Sequence, residues 1–105
     1  MTIPVFLNIM NKTYGVEFNQ DLLYKEDAYG QVSYREQKIF ILPDTRQFPR
    51  SVEQIEHTYL HEIIHLILDE MNKKDLSKDE DFVDMFAGFL HQIIQTSRGD
   101  LLDKN

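Results

Sequence analysis

"YLHEIIHLIL", residues 59–68, decides how the rest of this chain is read. Two histidines, His61 and His65, stand four apart inside an apolar run, and Glu62 directly follows the first. On an α-helix, positions four apart lie one above the other on one face, so both rings point at a common spot. Two neutral imidazoles at that spacing offer the bite a zinc ion takes from a helix. Glu62 lies about 100° round the helix from His61 and about 60° from His65, so it flanks an ion there without having to bind it. A carboxylate so placed takes a proton from metal-activated water and hands it to a leaving group. His-Glu-x-x-His is the pattern of zinc-dependent peptidases for these reasons.

The flanks suit a helix buried in a small domain. Leu60, Ile63, Ile64, Leu66 and Ile67 fill one arc of a helical wheel, while Thr58, His61, Glu62, His65 and Asp69 occupy the remainder. The helix is expected to start near Ser51, where Ser51 and Gln54 fit a capping box, and to run to about Asn72. After the polar connection "NKKDLSK", a second helix is expected from about Ser77 to Thr96, with Arg98 and Gly99 as its stop.

On that second helix Glu80, Asp84 and His91 fall within about 40° of one another, with Ala87 beside them, and Phe82, Phe86, Phe89 and Ile93 occupy the opposite arc. Ala87 and Gly88 are small enough for another helix to approach closely. A glycine in mid-helix is about 1 kcal/mol worse than alanine, so Gly88 needs such a packing reason. The polar stripe is therefore expected to meet the face carrying His61 and His65.

A catalytic zinc site has three protein ligands and an open position, and Glu80 is the candidate third ligand. Asp84, one turn on, can accept a hydrogen bond from the far nitrogen of a ligating histidine. A competing reading explains Glu80 without metal. With Ser77 as N-cap it closes a Ser-x-x-Glu capping box, and Asp79 and Asp81 are first-turn acids favoured by the helix dipole. His57 continues the four-residue series, but three ligands stacked along one straight helix do not surround an ion, so it reads as a rim residue. His91 reads as a histidine satisfied between helices.

The first half of the chain is strand-rich. "IPVFLNIM" and "TYGVEF" flank "NK" and predict a hairpin, and "DLLY" adds a short strand. "DAYG" breaks the chain, and "QVSY" and "KIFIL" read as two strands joined by "REQ". Ile39, Phe40, Ile41 and Leu42 in succession imply burial on both faces. Pro43 and Pro49 bracket a loop that ends the strands. The expected architecture is α+β: a small N-terminal antiparallel or mixed sheet followed by two packed helices. Residues 1–105 read as a single domain, with 1–50 its strand-rich part, 51–97 its two helices and 98–105 a C-terminal tail.

Composition narrows the function. The chain has 105 residues and a formal net charge of −7, which repels a phosphate backbone or an anionic membrane, so no nucleic-acid or membrane partner is expected. The densest basic stretch, Lys73, Lys74 and Lys78, is interleaved with Asp75, Asp79 and Glu80. There is no cysteine, so any metal is held by imidazole and carboxylate. That ligand set suits Zn²⁺, and also iron or manganese. The N-terminal apolar run has no basic segment before it and no small-residue cleavage site, so it reads as a strand, and no run reaches the roughly 18 apolar residues of a membrane span. A cytoplasmic setting is the expectation.

"HTYLHEIIHLIL" followed by "EDFVDMFAGFL" resembles the small zincin-like proteins of phages and mobile elements, relatives of the ImmA/IrrE-type metallopeptidases. Those proteins carry a motif helix, then a helix with an acidic third ligand upstream of a Phe-Ala pair. Here that position is Glu80, six residues before Phe86-Ala87. "GQVSYREQKIFIL" is similar to the family's sheet, and the spacing of Glu80 to Asp84 is similar to that of gluzincin peptidases, where the aspartate orients a ligand histidine. The family's usual Glu-Ala-Asn before Phe-Ala reads Phe82-Val83-Asp84 here, and none of these 105 residues reads as the helix-turn-helix domain of many relatives, so direct DNA binding is not expected. The resemblance implies a minimal zincin-like fold and a hydrolase cleaving a peptide bond of a protein substrate, such as a regulatory protein. The competing expectation is a catalytically weak or inactive zincin-fold module that binds a protein. The oligomeric state and the substrate are not written in the sequence.

Overall fold

In the computed structural model, which describes residues 1–103, strands β1 (Phe6–Ile9) and β2 (Lys12–Phe18) form the expected hairpin. Their antiparallel register pairs Ile9 with Lys12, so Met10 and Asn11 make the turn, with Met10 at a φ of 53°. Strands β3 (Gly30–Ser33) and β4 (Lys38–Ile41) form a second antiparallel pair. The two hairpins join through β2 and β4, which run parallel, giving the order β1-β2-β4-β3. Helices α2 (Val52–Glu70), α3 (Lys74–Lys78) and α4 (Glu80–Thr96) follow, so the protein is α+β with a mixed sheet and packed helices after it. The end of the 98–105 tail, residues 104 and 105, lies outside the described residues.

The run from Ile39 to Leu42 is buried on both faces, and the structure shows what covers each. Ile39 and Ile41 join Tyr14 and Val16 beneath α2 and α4, packed on Leu60, Ile64, Leu66 and Val83. Phe40 and Leu42 point the other way and pack on Leu23. Leu23 belongs to helix α1 (Gln20–Glu26), which replaces the short strand expected at "DLLY". The cause is local: Asn19 caps the helix by accepting from Leu22 N–H at 3.0 Å, and Asp21 sits in the first turn.

Helix α2 begins as expected, with the Ser51 hydroxyl accepting from Gln54 N–H and the Gln54 side chain returning to the Ser51 N–H. It ends at Glu70, slightly earlier than expected. Its burial is broader than the wheel implied, because Thr58 and Glu62 are buried while Ile67 is exposed. The second helix starts later than the sequence suggested. Ser77 does not cap it: Ser77 lies buried in the five-residue α3, inside the stretch read as a polar connection. Asp79 caps α4 instead, accepting from Phe82 N–H at 3.1 Å. The capping-box reading of Glu80 is thereby corrected, since Glu80 opens the helix and its side chain is free for another use.

The small face of α4 meets α2, with Val83 and Ala87 fully buried. Its apolar arc is left largely to solvent: Met85, Phe86, Phe89 and Ile93 are exposed. Lower along the same contact, His91 Nε2 lies 2.8 Å from Glu56 Oε1, a buried pair between helices. Glu56 Oε2 also accepts from the amino group of Met1 at 3.1 Å.

The His91 contact is the foremost influence on the Glu56 carboxyl and holds it below its usual 4.5, against burial acting upward. A carboxyl whose pKa falls on folding stabilises the protein above its unfolded value, and that contribution drains away as pH drops through the lowered folded value. Acid loss of stability traceable to Glu56 is therefore expected below about pH 4.5. Glu56→Gln should lower Tm at neutral pH and flatten the Tm profile below that point. Calorimetry across the range checks this, and a variant profile running parallel to the original would exclude it.

Candidate metal centre

Helix geometry alone brings His61 and His65 together: their Nε2 atoms lie 3.2 Å apart. Helix α4 supplies the third group, because Asp79 starts the helix one residue before Glu80 and the close α2–α4 contact at Ala87 holds the two helices side by side. Glu80 Oε2 is 3.0 Å from His61 Nε2, and Glu80 Oε1 is 3.2 Å from His65 Nε2. Ligands on a tetrahedral zinc with bonds of about 2.0–2.1 Å are separated by about 3.3 Å, so the three donors are spaced as such a set requires.

The far nitrogens decide which lone pairs face inward. His61 Nδ1 lies 3.2 Å from Asp84 Oδ1, and an ionised carboxylate only accepts, so a neutral ring that offers Nε2 to a metal keeps its proton on Nδ1. His65 Nδ1 lies 3.0 Å from Ser77 Oγ, whose hydroxyl in turn hydrogen-bonds Asp69. With that hydroxyl proton given to Asp69, Ser77 accepts from His65 Nδ1. Both Nε2 atoms then present lone pairs toward the Glu80 carboxylate. Three such donors repel one another unless a cation, metal or proton, sits among them. The donor set fits a divalent ion of the zinc type.

Asp69 anchors this arrangement from behind. Burial acts to raise its carboxyl, but hydrogen bonds from Tyr34, Ser77 and Lys74 outweigh burial and hold it below the usual value. Tyr34 donates its hydroxyl to Asp69 directly. Burial, with help from that hydrogen bond, pushes the Tyr34 hydroxyl well above the usual tyrosine range.

Glu62 sits beside the donors with 7 % of its surface exposed. Burial raises its carboxyl to about 7, Glu80 pushing the same way and His61 opposing. A carboxyl in that range gains and loses a proton near neutrality. Its other neighbour is Gly30, at the start of β3. A Cβ there would stand 2.6 Å from Thr58 Cγ2 and 3.0 Å from Glu62 Cγ. Gly30→Ala must part the strand from the helix, and it is expected to cost about 1–3 kcal/mol, as overpacking does. A denaturation midpoint measures it; an unshifted midpoint would show that strand and helix separate freely.

His61, Glu62, His65, Glu80 and Asp84 all line one open cleft of about 500 Å³. His57 lines it too. Its Nε2 is 3.2 Å from Asp84 Oδ1 but makes no hydrogen bond. Sequence reasoning missed Ser77, taken for a helix cap, and the opposite wall formed by Tyr29, Gly30 and Arg50. A glycine opening a strand was a legible sign of close approach at Gly30; nothing in the pattern marked Arg50.

Set against protein-family models, curated proteins and solved structures, the chain gives no match in any of the three comparisons. No helix among the described residues is long and apolar enough to cross a membrane.

Proposed function

We propose that this protein is a minimal zincin-like zinc metallopeptidase, hydrolysing a peptide bond of a protein or peptide substrate in the cytoplasm of the producing cell. The observation that carries this reading is the convergence of His61, His65 and Glu80 at 3.0–3.2 Å, with Glu62 buried against them in the same cleft. His61, His65 and Glu80 would hold the ion. Bound there, zinc supplies Lewis-acid polarisation of a carbonyl and acidifies water.

The chain's own groups do the rest. Glu62 takes the proton of the attacking water at its carboxylate and returns it to the leaving amine. Asp84 and Ser77 keep the protons of His61 and His65 on Nδ1. Strand β3 is an edge of the sheet and its first residue lines the cleft, so an extended peptide can be aligned there by strand addition. The internal strand β4 has no free edge for this purpose.

The test is zinc content by mass spectrometry on tag-free protein purified without added metal, run beside cleavage of a peptide library before and after chelation. About one zinc per chain is expected, with cleavage lost on chelation. Protein that takes up no zinc even when incubated with it would overturn the reading. A second reading, a zincin-fold module that binds a protein without cleaving it, is favoured by the exposed apolar arc of α4. It predicts zinc uptake without any cleavage.

A further inference from the structure

Arg50 stands on the wall of the same cleft, immediately before the Ser51 cap of α2. It is half-buried and held on several sides. Nη1 donates to Leu42 O at 2.8 Å, and Nη2 donates to Gln54 O at 3.1 Å and to Thr58 Oγ1 at 2.7 Å. The guanidinium carbon lies 4.7 Å from the centre of the Tyr29 ring. A planar group fixed in this way cannot swing out to find a counter-ion.

All of those partners are neutral. Among the described residues no carboxylate pairs with Arg50, although the chain has 18 acidic residues against 11 basic ones. Partial burial disfavours the charge, and it is offset only by neutral oxygens and the Tyr29 ring, not by a carboxylate. A guanidinium carries five N–H donors, and three are used here, which leaves Nε and one Nη1 donor for a ligand. Arg50 is also the one lysine or arginine that the structure shows lining this cleft among the described residues; Glu62, Glu80 and Asp84 make the other end acidic. At the far end of the cleft the ion's charge is offset by these carboxylates, whereas at Arg50 a positive charge faces the cleft with no carboxylate of the chain beside it.

We propose that Arg50 is an anion subsite that takes a carboxylate of the bound peptide, carried by an aspartate or glutamate side chain or by the C-terminal residue. This rests on the reading of the cleft as a peptide site. Thr58, which Arg50 holds, lies one helical turn before Glu62, about 6 Å along the axis. An extended peptide advances about 3.3 Å per residue, so the carboxylate lies about two residues from the bond presented to Glu62. The free Nε and Nη1 donors lie on opposite sides of the guanidinium, so a carboxylate takes a single charge-assisted hydrogen bond from it. A lysine, lacking the bonds that hold the guanidinium in place, does not present its charge at the same spot.

The experiment measures binding, so that turnover plays no part. Zinc-loaded Glu62→Gln protein is titrated by fluorescence polarisation with three sets of labelled hexapeptides of otherwise neutral composition. One set has an internal glutamate and an amidated C-terminus, the second has glutamine and a free C-terminal carboxylate, and the third has glutamine and an amide. At least one acidic set is expected to bind about tenfold tighter than the neutral set, and which one does so identifies the source of the carboxylate. Arg50→Gln should bring the ratio to about one, and Arg50→Lys should reduce it several-fold. Equal binding of all three sets, or no binding by the acidic ones, overturns the proposal. So does a preference that survives in Arg50→Gln or, if that variant fails to fold, is undiminished in Arg50→Lys. Charge preference with no cleavage by the Glu62 protein would sink the hydrolytic reading and leave the subsite standing; cleavage with no charge preference would do the reverse.

Discussion

Glu62→Gln is expected to keep its metal while kcat/KM falls by about 10³-fold, within the range for removing a general base. The substitution is nearly isosteric, so the buried position against Gly30 is refilled without a void. The amide has no basic oxygen of comparable strength, so the proton of the attacking water has nowhere to go. None of the three donors is touched: His61, His65 and Glu80 keep their spacing, and Asp84 and Ser77 still hold the far nitrogens. The paired measurement is zinc stoichiometry and cleavage rate on the same sample. Turnover within a few-fold of the original would remove Glu62 from the chemistry, and loss of zinc would show that the carboxylate is a ligand after all. A neutral amide at this site also carries no charge to bury, so stability should not fall.

Glu80→Ala and Asp79→Ala, although neighbours, are expected to have opposite consequences. Asp79 caps α4, so Asp79→Ala should cost about 1 kcal/mol of stability and leave zinc in place. Glu80 contributes no cap; its two oxygens face the two imidazoles. Glu80→Ala should therefore leave the apo protein's melting temperature nearly unchanged and abolish zinc binding, because two ligands on one helix do not hold the ion against solvent. Thermal melts of apo and zinc-loaded protein separate the two effects. A zinc-induced rise in Tm that persists in Glu80→Ala would require another third ligand. A melting temperature that collapses without metal would return Glu80 to a structural role.

Both variants turn on a boundary that the sequence placed three residues too early. Ser77 and Glu80 stand at the spacing of a capping box, and Asp79 is also a good cap, so local preference alone did not choose between them. Tertiary contact chose: Ser77 is drawn inward by His65 and Asp69, and the helix starts at the next available cap. Helix α1 was obscured differently. Leu22, Leu23 and Tyr24 fit a short strand or a short helix equally well, and only the Asn19 cap with Asp21 behind it distinguished them. The legible parts were those where pattern and packing agree. Ser51 and Gln54 marked the start of α2, the run at Ile39 marked a strand covered twice, and Ala87 marked where α4 approaches α2. The arcs of α2 were less legible, since a small domain buries Thr58 and Glu62 as readily as it buries leucine once β3 lies against them.

The parallel pairing of β2 with β4 bears on the order in which the molecule assembles. Each hairpin joins segments close in the chain, so each closes a short loop at small entropic cost. The β2–β4 seam cannot form this way, because α1 and β3 intervene between Phe18 and Lys38. Non-local pairing of that kind carries a larger loop-closure cost than a hairpin does. His61 and His65 come together within one helix, while Tyr29 and Gly30 are carried by the segment enclosed between β2 and β4. The wall that faces the donors therefore takes its place against α2 only with the closing of the central seam, which makes the cleft a product of the whole sheet and not of the motif helix alone.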